Sequence, residues 1–176
     1  MYKLSEFVTN ELLQNSRVKT LSLIKLFLQN GNKNATLLIR IFLASSKKKD
    51  LFNRFIVRAL RNRLIKVYGI EIGGHTKIGM GLHIAHPNGI IFGEGVEIGK
   101  NVTIYHQVTF GLNNVSSKGD INAYPKVGDN CIIYAGAKII GNIKLGNGTI
   151  VGANSVLLTD TEENSVYAGI PAKRIK

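Results

Sequence analysis

The chain has 176 residues, 44% of them hydrophobic, with one cysteine and a net charge of +12. That length and apolar content suit one compact unit with an appendage and exclude a disordered chain. A single cysteine excludes an internal disulfide framework, and Cys131 reads as a small packed residue.

The charge is concentrated at one end. Residues 1–70 hold fourteen Lys and Arg against Glu6, Glu11 and Asp50, a net +11, whereas residues 71–176 hold nine against eight, a net +1. The first dozen residues, MYKLSEFVTNEL, are polar and lack an apolar stretch of the kind that directs secretion, so a cytoplasmic location is expected. Residues 1–69 form a basic segment without proline. Helical spacing in Leu23, Ile24, Leu26 and Phe27, and again in Leu37, Leu38, Ile41 and Phe42, predicts three or four helices. Arg40 and Lys47 to Lys49 break the longest apolar run, leaving it too short to cross a bilayer. The charge is compatible with a solvated helical surface or with peripheral contact to an anionic membrane or lipid-linked glycan. No aromatic stacking pattern accompanies the lysines, so no nucleic-acid partner is expected.

From residue 70 onward the pattern changes. Apolar residues recur at a step of six: Ile72, Ile78, Ile84, then Phe92, Ile98, Ile104, Phe110, then Val127, Ile133, Ile139, Leu145, Val151, Leu157. Eight of these thirteen are followed at once by glycine, as in Ile72-Gly73 and Ile98-Gly99. A period of six fits neither a helix nor a single strand, but fits a chain that turns a corner every six residues. The expected fold is a triangular parallel β-helix over residues 70–160, with an excursion at 112–126 and a C-terminal tail at 161–176. In this reading the apolar residue points inward and the following glycine permits the turn. Small residues such as Thr76, Ala137, Thr149 and Ser155 fill the crowded corners.

Three hexads make one coil, so every third hexad lies on the same face. Counting through both interruptions places Ile84, Ile104, Ile133 and Val151 on one face, and the residues two past each start form a column of His86, His106, Ala135 and Ala153. With rungs about 4.8 Å apart the column runs roughly 14 Å. A long thin ligand laid over the two methyl groups would bring its reactive end to the two imidazoles. Glu71 falls around the corner from His86, where a carboxylate can fix the ring tautomer and raise the basicity of the far nitrogen. Pro87, Asn88 and Gly89 are turn formers that push the chain outward beside His86.

The segments GLHIAHPNGIIFGEGVEIGKNVTIYHQVTFG and YPKVGDNCIIYAGAKIIGNIKLGNGTIVGANSVLL, with the ending AGIPAKRIK, resemble the hexapeptide-repeat acyltransferases and, within them, the serine acetyltransferase branch. The resemblance covers about residues 35–176. It implies a left-handed parallel β-helix, an exception to the usual right-handed crossover. It also implies a homotrimer or a dimer of trimers with active sites between subunits, acetyl-CoA as co-substrate and no metal. By the same resemblance His86 is the general base, Glu71 its supporting acid, Ala135 and Ala153 the lining of the coenzyme A groove, and the amides near Gly111 and Leu112 the oxyanion donors. Lys138, Lys173 and Arg174 are placed to meet coenzyme A phosphates.

The chain also departs from that branch. Where serine acetyltransferases carry an aspartate before the catalytic histidine and an Arg-His pair before Pro-Lys, this chain has Ala85, Ala123 and Tyr124. Loss of those charged partners, with the shorter helical segment, points to the branch that acetylates sugar hydroxyls in capsule and exopolysaccharide synthesis. In that reading Ala85, His106 and Tyr124 face the acceptor, and the Tyr124 ring stacks on a pyranose. Three other readings remain open at this stage: serine as acceptor, a non-catalytic trimeric scaffold, and a zinc carbonic anhydrase built from His75, His83, His86 and His106 on the same prism.

Overall fold

The computed structural model describes Glu6 and residues 31–113 and 119–176. The predicted helical stretch around Leu23 to Phe27 lies outside the described residues. Two helices open the described chain, α1 (Asn32–Ser46) and α2 (Leu51–Tyr68). Asp50 caps α2 by accepting from the Asn53 backbone N–H at 3.0 Å and its Nδ2 at 2.7 Å, and these bonds hold the Asp50 carboxyl below its ordinary range. Gly69 ends the helix in the left-handed conformation, φ 62°.

The two helices bury Leu38, Ile39, Phe42, Leu60 and Leu64 in one core that continues into the repeat region. Polar ties fix the docking. The buried Arg40 guanidinium donates to the carbonyls of Ile78 (2.8 Å) and Gly79 (2.6 Å), and the Tyr68 hydroxyl donates to Asn34 Oδ1 at 2.8 Å. The helices are thus a lid on the first coil, sharing its core. Among the described residues no helix is long and apolar enough to cross a membrane.

Among the described residues fifteen short strands follow, all but the last parallel to their neighbours, and they wind into three sheets. The first sheet stacks β1 (Glu71–Ile72), β4 (Ile91–Phe92), β7 (Thr109–Gly111), β10 (Lys138–Ile140) and β13 (Val156–Leu157). The second stacks β2 (Lys77–Ile78), β5 (Glu97–Ile98), β8 (Lys126–Val127) and β11 (Lys144–Leu145). The third stacks β3 (His83–Ile84), β6 (Thr103–Ile104), β9 (Ile132–Ile133), β12 (Ile150–Val151), β14 (Val166–Gly169) and β15 (Ala172–Arg174). This is the left-handed parallel β-helix. Its register follows the hexad count: Ile84 faces Ile104, Ile104 faces Ile133, and Ile133 faces Val151. All thirteen repeat residues are buried, and Phe92 stacks on Phe110 with ring centroids 5.6 Å apart.

Three features differ from the sequence reading. Except at Gly111, the glycines after the repeat residues are required by close approach, since their φ values are ordinary. A Cβ at Gly79 would lie 2.6 Å from the Gly99 carbonyl oxygen, and one at Gly99 would lie 2.6 Å from Gly128. The left-handed conformations fall instead at later corner residues, among them Gln107, Asn130 and Gly136. Second, residues 161–176 are not a loose tail: Tyr167 takes the inward place above Val151, and β15 folds back antiparallel on β14. Third, the excursion comes down onto the wall, where the Ile121 carbonyl lies so close to Gly95 that no side chain fits there.

Cys131 fills a buried corner, and burial pushes its thiol up to about 11. The native protein at neutral pH is therefore expected to resist a thiol-specific reagent that modifies Cys131 completely once the chain is unfolded. Rapid labelling of the folded protein would contradict this packing.

Candidate active site

The corner between the third and first sheets carries the functional residues. His86 stands two residues past the inward Ile84, on a corner widened by the inserted residues after it. That corner is held from several sides. The Asn88 N–H donates to the His86 carbonyl (2.9 Å), the Gln107 N–H to the Asn88 carbonyl (2.8 Å), and the Gly89 N–H to the Tyr68 carbonyl at the end of α2 (2.9 Å). Asn32, at the start of α1, donates its Nδ2 to the Ala85 carbonyl at 2.7 Å. The helical lid thus fixes the backbone immediately before His86, a tie for which the sequence carries no signal.

The His86 imidazole is exposed and meets the half-buried His106 edge to face, with centroids 5.7 Å apart and an interplanar angle of 71°. Nδ1 of His106 is buried and has no hydrogen-bond partner among the described residues. Leaving a buried ring nitrogen unpaired costs free energy that an arriving polar group would recover. One coil further, Gly136 donates its N–H to the His106 carbonyl (2.9 Å), and Asn154 donates to the Ala135 carbonyl (2.8 Å). The column His86, His106, Ala135, Ala153 is therefore continuous, imidazoles at one end and methyl groups at the other. A second column runs beside it, one residue earlier in each coil, where Tyr105 stacks on Tyr134 at 5.1 Å. The hexad count contained that signal too, since both tyrosines directly follow an inward isoleucine.

The remaining predicted site residues fall as follows. Glu71 begins the first sheet beside this corner, its N–H bonded to the Ile90 carbonyl at 3.0 Å. Its exposed carboxylate makes no hydrogen bond to His86 in the single chain. Gly111 ends β7, two residues or about 7 Å along the strand from the corner, and a Cβ built on it would meet nothing closer than 3.5 Å. Only the side chains of Ile140 and Thr109 come within contact distance of that Cβ position, whereas the Leu112 side chain packs against the core edge.

Lys138 does not reach outward: its ammonium donates to the Gln107 carbonyl (2.6 Å) and to Thr109 Oγ1 (3.3 Å). Lys173 is exposed on β15, and Arg174 pairs with Glu162. His75 lies at a different corner, its Nδ1 2.7 Å from Glu94 Oε1, and His83 begins β3 on the third sheet. Among the described residues no three His, Cys, Asp or Glu side chains converge as a metal site.

Tyr124 is a correction. It is only 8% exposed, and its ring occupies the space a side chain at Gly93 would need, with ring carbons 2.3 and 2.5 Å from a Cβ built there. The ring is part of the core and offers no face to a sugar.

A three-sided prism with a column of methyl groups leading to paired imidazoles suits a β-helical group-transfer enzyme. The profile of the family described as "Bacterial transferase hexapeptide (six repeats)" matches residues 124–159. A serine acetyltransferase of Helicobacter pylori (strain J99) is 43% identical over 121 residues, which are 69% of this chain and 69% of that protein. Among solved structures, soybean serine acetyltransferase complexed with serine is 36% identical at a TM-score of 0.70, covering 80% of this chain and 56% of that one. A serine acetyltransferase in complex with CoA is 30% identical at a TM-score of 0.69, covering 86% of this chain and 60% of that one. The chain belongs to the hexapeptide-repeat acyltransferase family, and it spans somewhat over half the length of these solved relatives. The expectation of a sugar acceptor in polysaccharide synthesis is overturned: the matched relatives are serine acetyltransferases. The sugar reading rested on the missing charges at Ala85 and Ala123 and on the shorter helical segment, and the burial of Tyr124 also removes the aromatic platform it added.

Proposed function

We propose that the protein transfers the acetyl group of acetyl-CoA to the hydroxyl of serine. The single observation that carries this reading is the corner column, in which Ala135 and Ala153 lead to His86 and His106. Relatives of the same fold are named serine acetyltransferases, one of them solved with serine and another with CoA. In the proposed reaction both substrates are bound together. His86 accepts the proton of the serine hydroxyl as its oxygen forms a bond to the thioester carbonyl carbon. The carbon–sulfur bond then breaks, and the thiolate recovers the proton from His86. Glu71 orients the imidazole once the site is filled. The Gly111 amide stabilises the oxygen that becomes negative, a contribution of about 3 kcal/mol for a well-placed donor.

The site is completed by neighbouring copies in a homotrimer. Two observations support that assembly. The Glu71 carboxylate makes no hydrogen bond to His86 within one chain, so the site of a single chain is incomplete. The outward positions of the third sheet include Ile132, Ile150 and Val166, beside Tyr105 and Tyr134, whereas the second sheet presents Lys77, Glu97, Lys126 and Lys144, with Lys77 paired to Glu97 at 3.0 Å. A charged face suits water and an apolar one suits a partner copy.

Thiol release from acetyl-CoA, followed together with the mass of the product, tests the reading. Serine-dependent thiol release with formation of O-acetylserine is the expected result. Thiol release unaffected by serine would overturn it.

The replacement of the acidic residue by Ala85 yields a further prediction. A carboxylate next to His86 would add a charged hydrogen bond to the serine ammonium, worth about 1.5–3 kcal/mol. Ala85→Asp is therefore expected to raise kcat/KM for serine at least about tenfold, chiefly by lowering KM. An unchanged kcat/KM would place the ammonium elsewhere.

A further inference from the structure

A cleft of about 360 Å³ lies between the end of α1, the side of α2 and the first coil, lined by Ser46, Lys48, Arg54, Arg58, Arg61 and Gly74. It lies on the far side of the first sheet's opening strand from His86, and the proposed reaction does not use it. Four of its lining residues are cations and none is an acid. Arg54, Arg58 and Arg61 are spaced four and three apart, which places their guanidinium groups along one side of α2.

The nearby carboxylates are already engaged. Asp50 is occupied with capping Asn53. Glu94 Oε1 accepts the Gly74 N–H at 3.0 Å, the His75 N–H at 3.3 Å and lies 2.7 Å from His75 Nδ1. Arg54 and Arg58 form no ion pair with any described residue. Arg61 is held in place, with its guanidinium carbon 5.6 Å from the Phe42 ring centroid and Nη2 donating to the Ile72 carbonyl oxygen at 3.4 Å. Like charges gathered around a concave surface repel one another and raise the local potential, which a multivalent anion relieves. Guanidinium groups bind phosphate oxygens through paired N–H donors, a geometry that single ammonium charges do not reproduce.

We infer that this cleft binds a phosphate group, presented either by a soluble phosphate ester or by the headgroup of an anionic lipid. The exposed Leu51, Phe52 and Phe55 on the adjoining first turns of α2 give a lipid surface an apolar foothold beside the cations.

The test uses the full chain in two arms. In the first, inorganic phosphate is titrated calorimetrically at fixed ionic strength; in the second, the protein is sedimented with phosphatidylcholine vesicles made with or without phosphatidylglycerol. Wild type is expected to bind in at least one arm. Saturable phosphate binding identifies a soluble ester as the source, and selective sedimentation with phosphatidylglycerol identifies a headgroup. The R54Q/R58Q variant is expected to weaken that binding at least tenfold while serine-dependent acetyl transfer stays unchanged, because both side chains are exposed and outside the proposed site. Lys66→Gln, an outward lysine on the same helix, should leave binding within twofold. Absence of binding in both arms, or equal binding by R54Q/R58Q, overturns the inference. Neither outcome bears on the role of His86.

Discussion

His86→Ala is expected to lower kcat by about a hundred- to ten-thousandfold, the range a positioned general base supplies, while the dissociation constant for coenzyme A changes little. The split follows from where His86 sits. Its imidazole projects from a corner whose backbone is fixed by Asn88, Gln107, Gly89 and Asn32, so truncation leaves the corner in place. The methyl-lined part of the column begins two coils away, at Ala135, and is untouched. Steady-state rates of thiol release with serine, beside calorimetric titration of coenzyme A, separate the two effects. A variant that keeps more than about a tenth of wild-type kcat would remove His86 from the role of base. A variant that loses coenzyme A binding in parallel would make the residue a part of the groove instead.

The second large effect concerns the prism itself. Phe110 is fully buried, stacks on Phe92 at 5.6 Å, and lies between Phe92 and Ile139 in the first sheet. Its truncation removes apolar contact on both rungs and leaves a cavity that the hydrogen-bonded coils above and below cannot close. Phe110→Ala is expected to cost about 3–5 kcal/mol. Urea unfolding measures it at one fixed protein concentration, because association of copies adds to apparent stability. Ile91→Ala, on the outer side of the same sheet and 37% exposed, should cost less than about 1 kcal/mol in the isolated chain. Equal costs at the two positions would mean that inward and outward faces are misassigned.

The prism can be read directly from the residues because its period has a physical cause: each hexad must bury one large apolar side chain, so burial selection writes a mark every six residues. The face assignments follow as well, since two interruptions of known length shift the count without losing it, and the histidine–alanine column emerges from that count alone. The features that are hidden in the sequence break the period or depend on contacts across the fold. Tyr167 resumes the inward row sixteen residues after Val151, behind a polar stretch, so residues 161–176 read as a tail. Tyr124 reads as a solvent-facing aromatic because it sits in an excursion; only the absence of a Cβ at Gly93, far earlier in the chain, opens the place it fills. The glycines themselves show the same ambiguity, since a turn and a close approach both select for the missing side chain. The acceptor is the hardest to read, because Ala85 and Ala123 report charges that are absent without reporting what stands in for them.

The most direct measurement is a crystal structure of the protein with coenzyme A. The account predicts the pantetheine arm along Ala135 and Ala153, in a cleft between two copies, with its sulfur within reach of His86. Coenzyme A seated away from this corner, or His86 turned from the bound thiol with no interface beside it, would contradict the account.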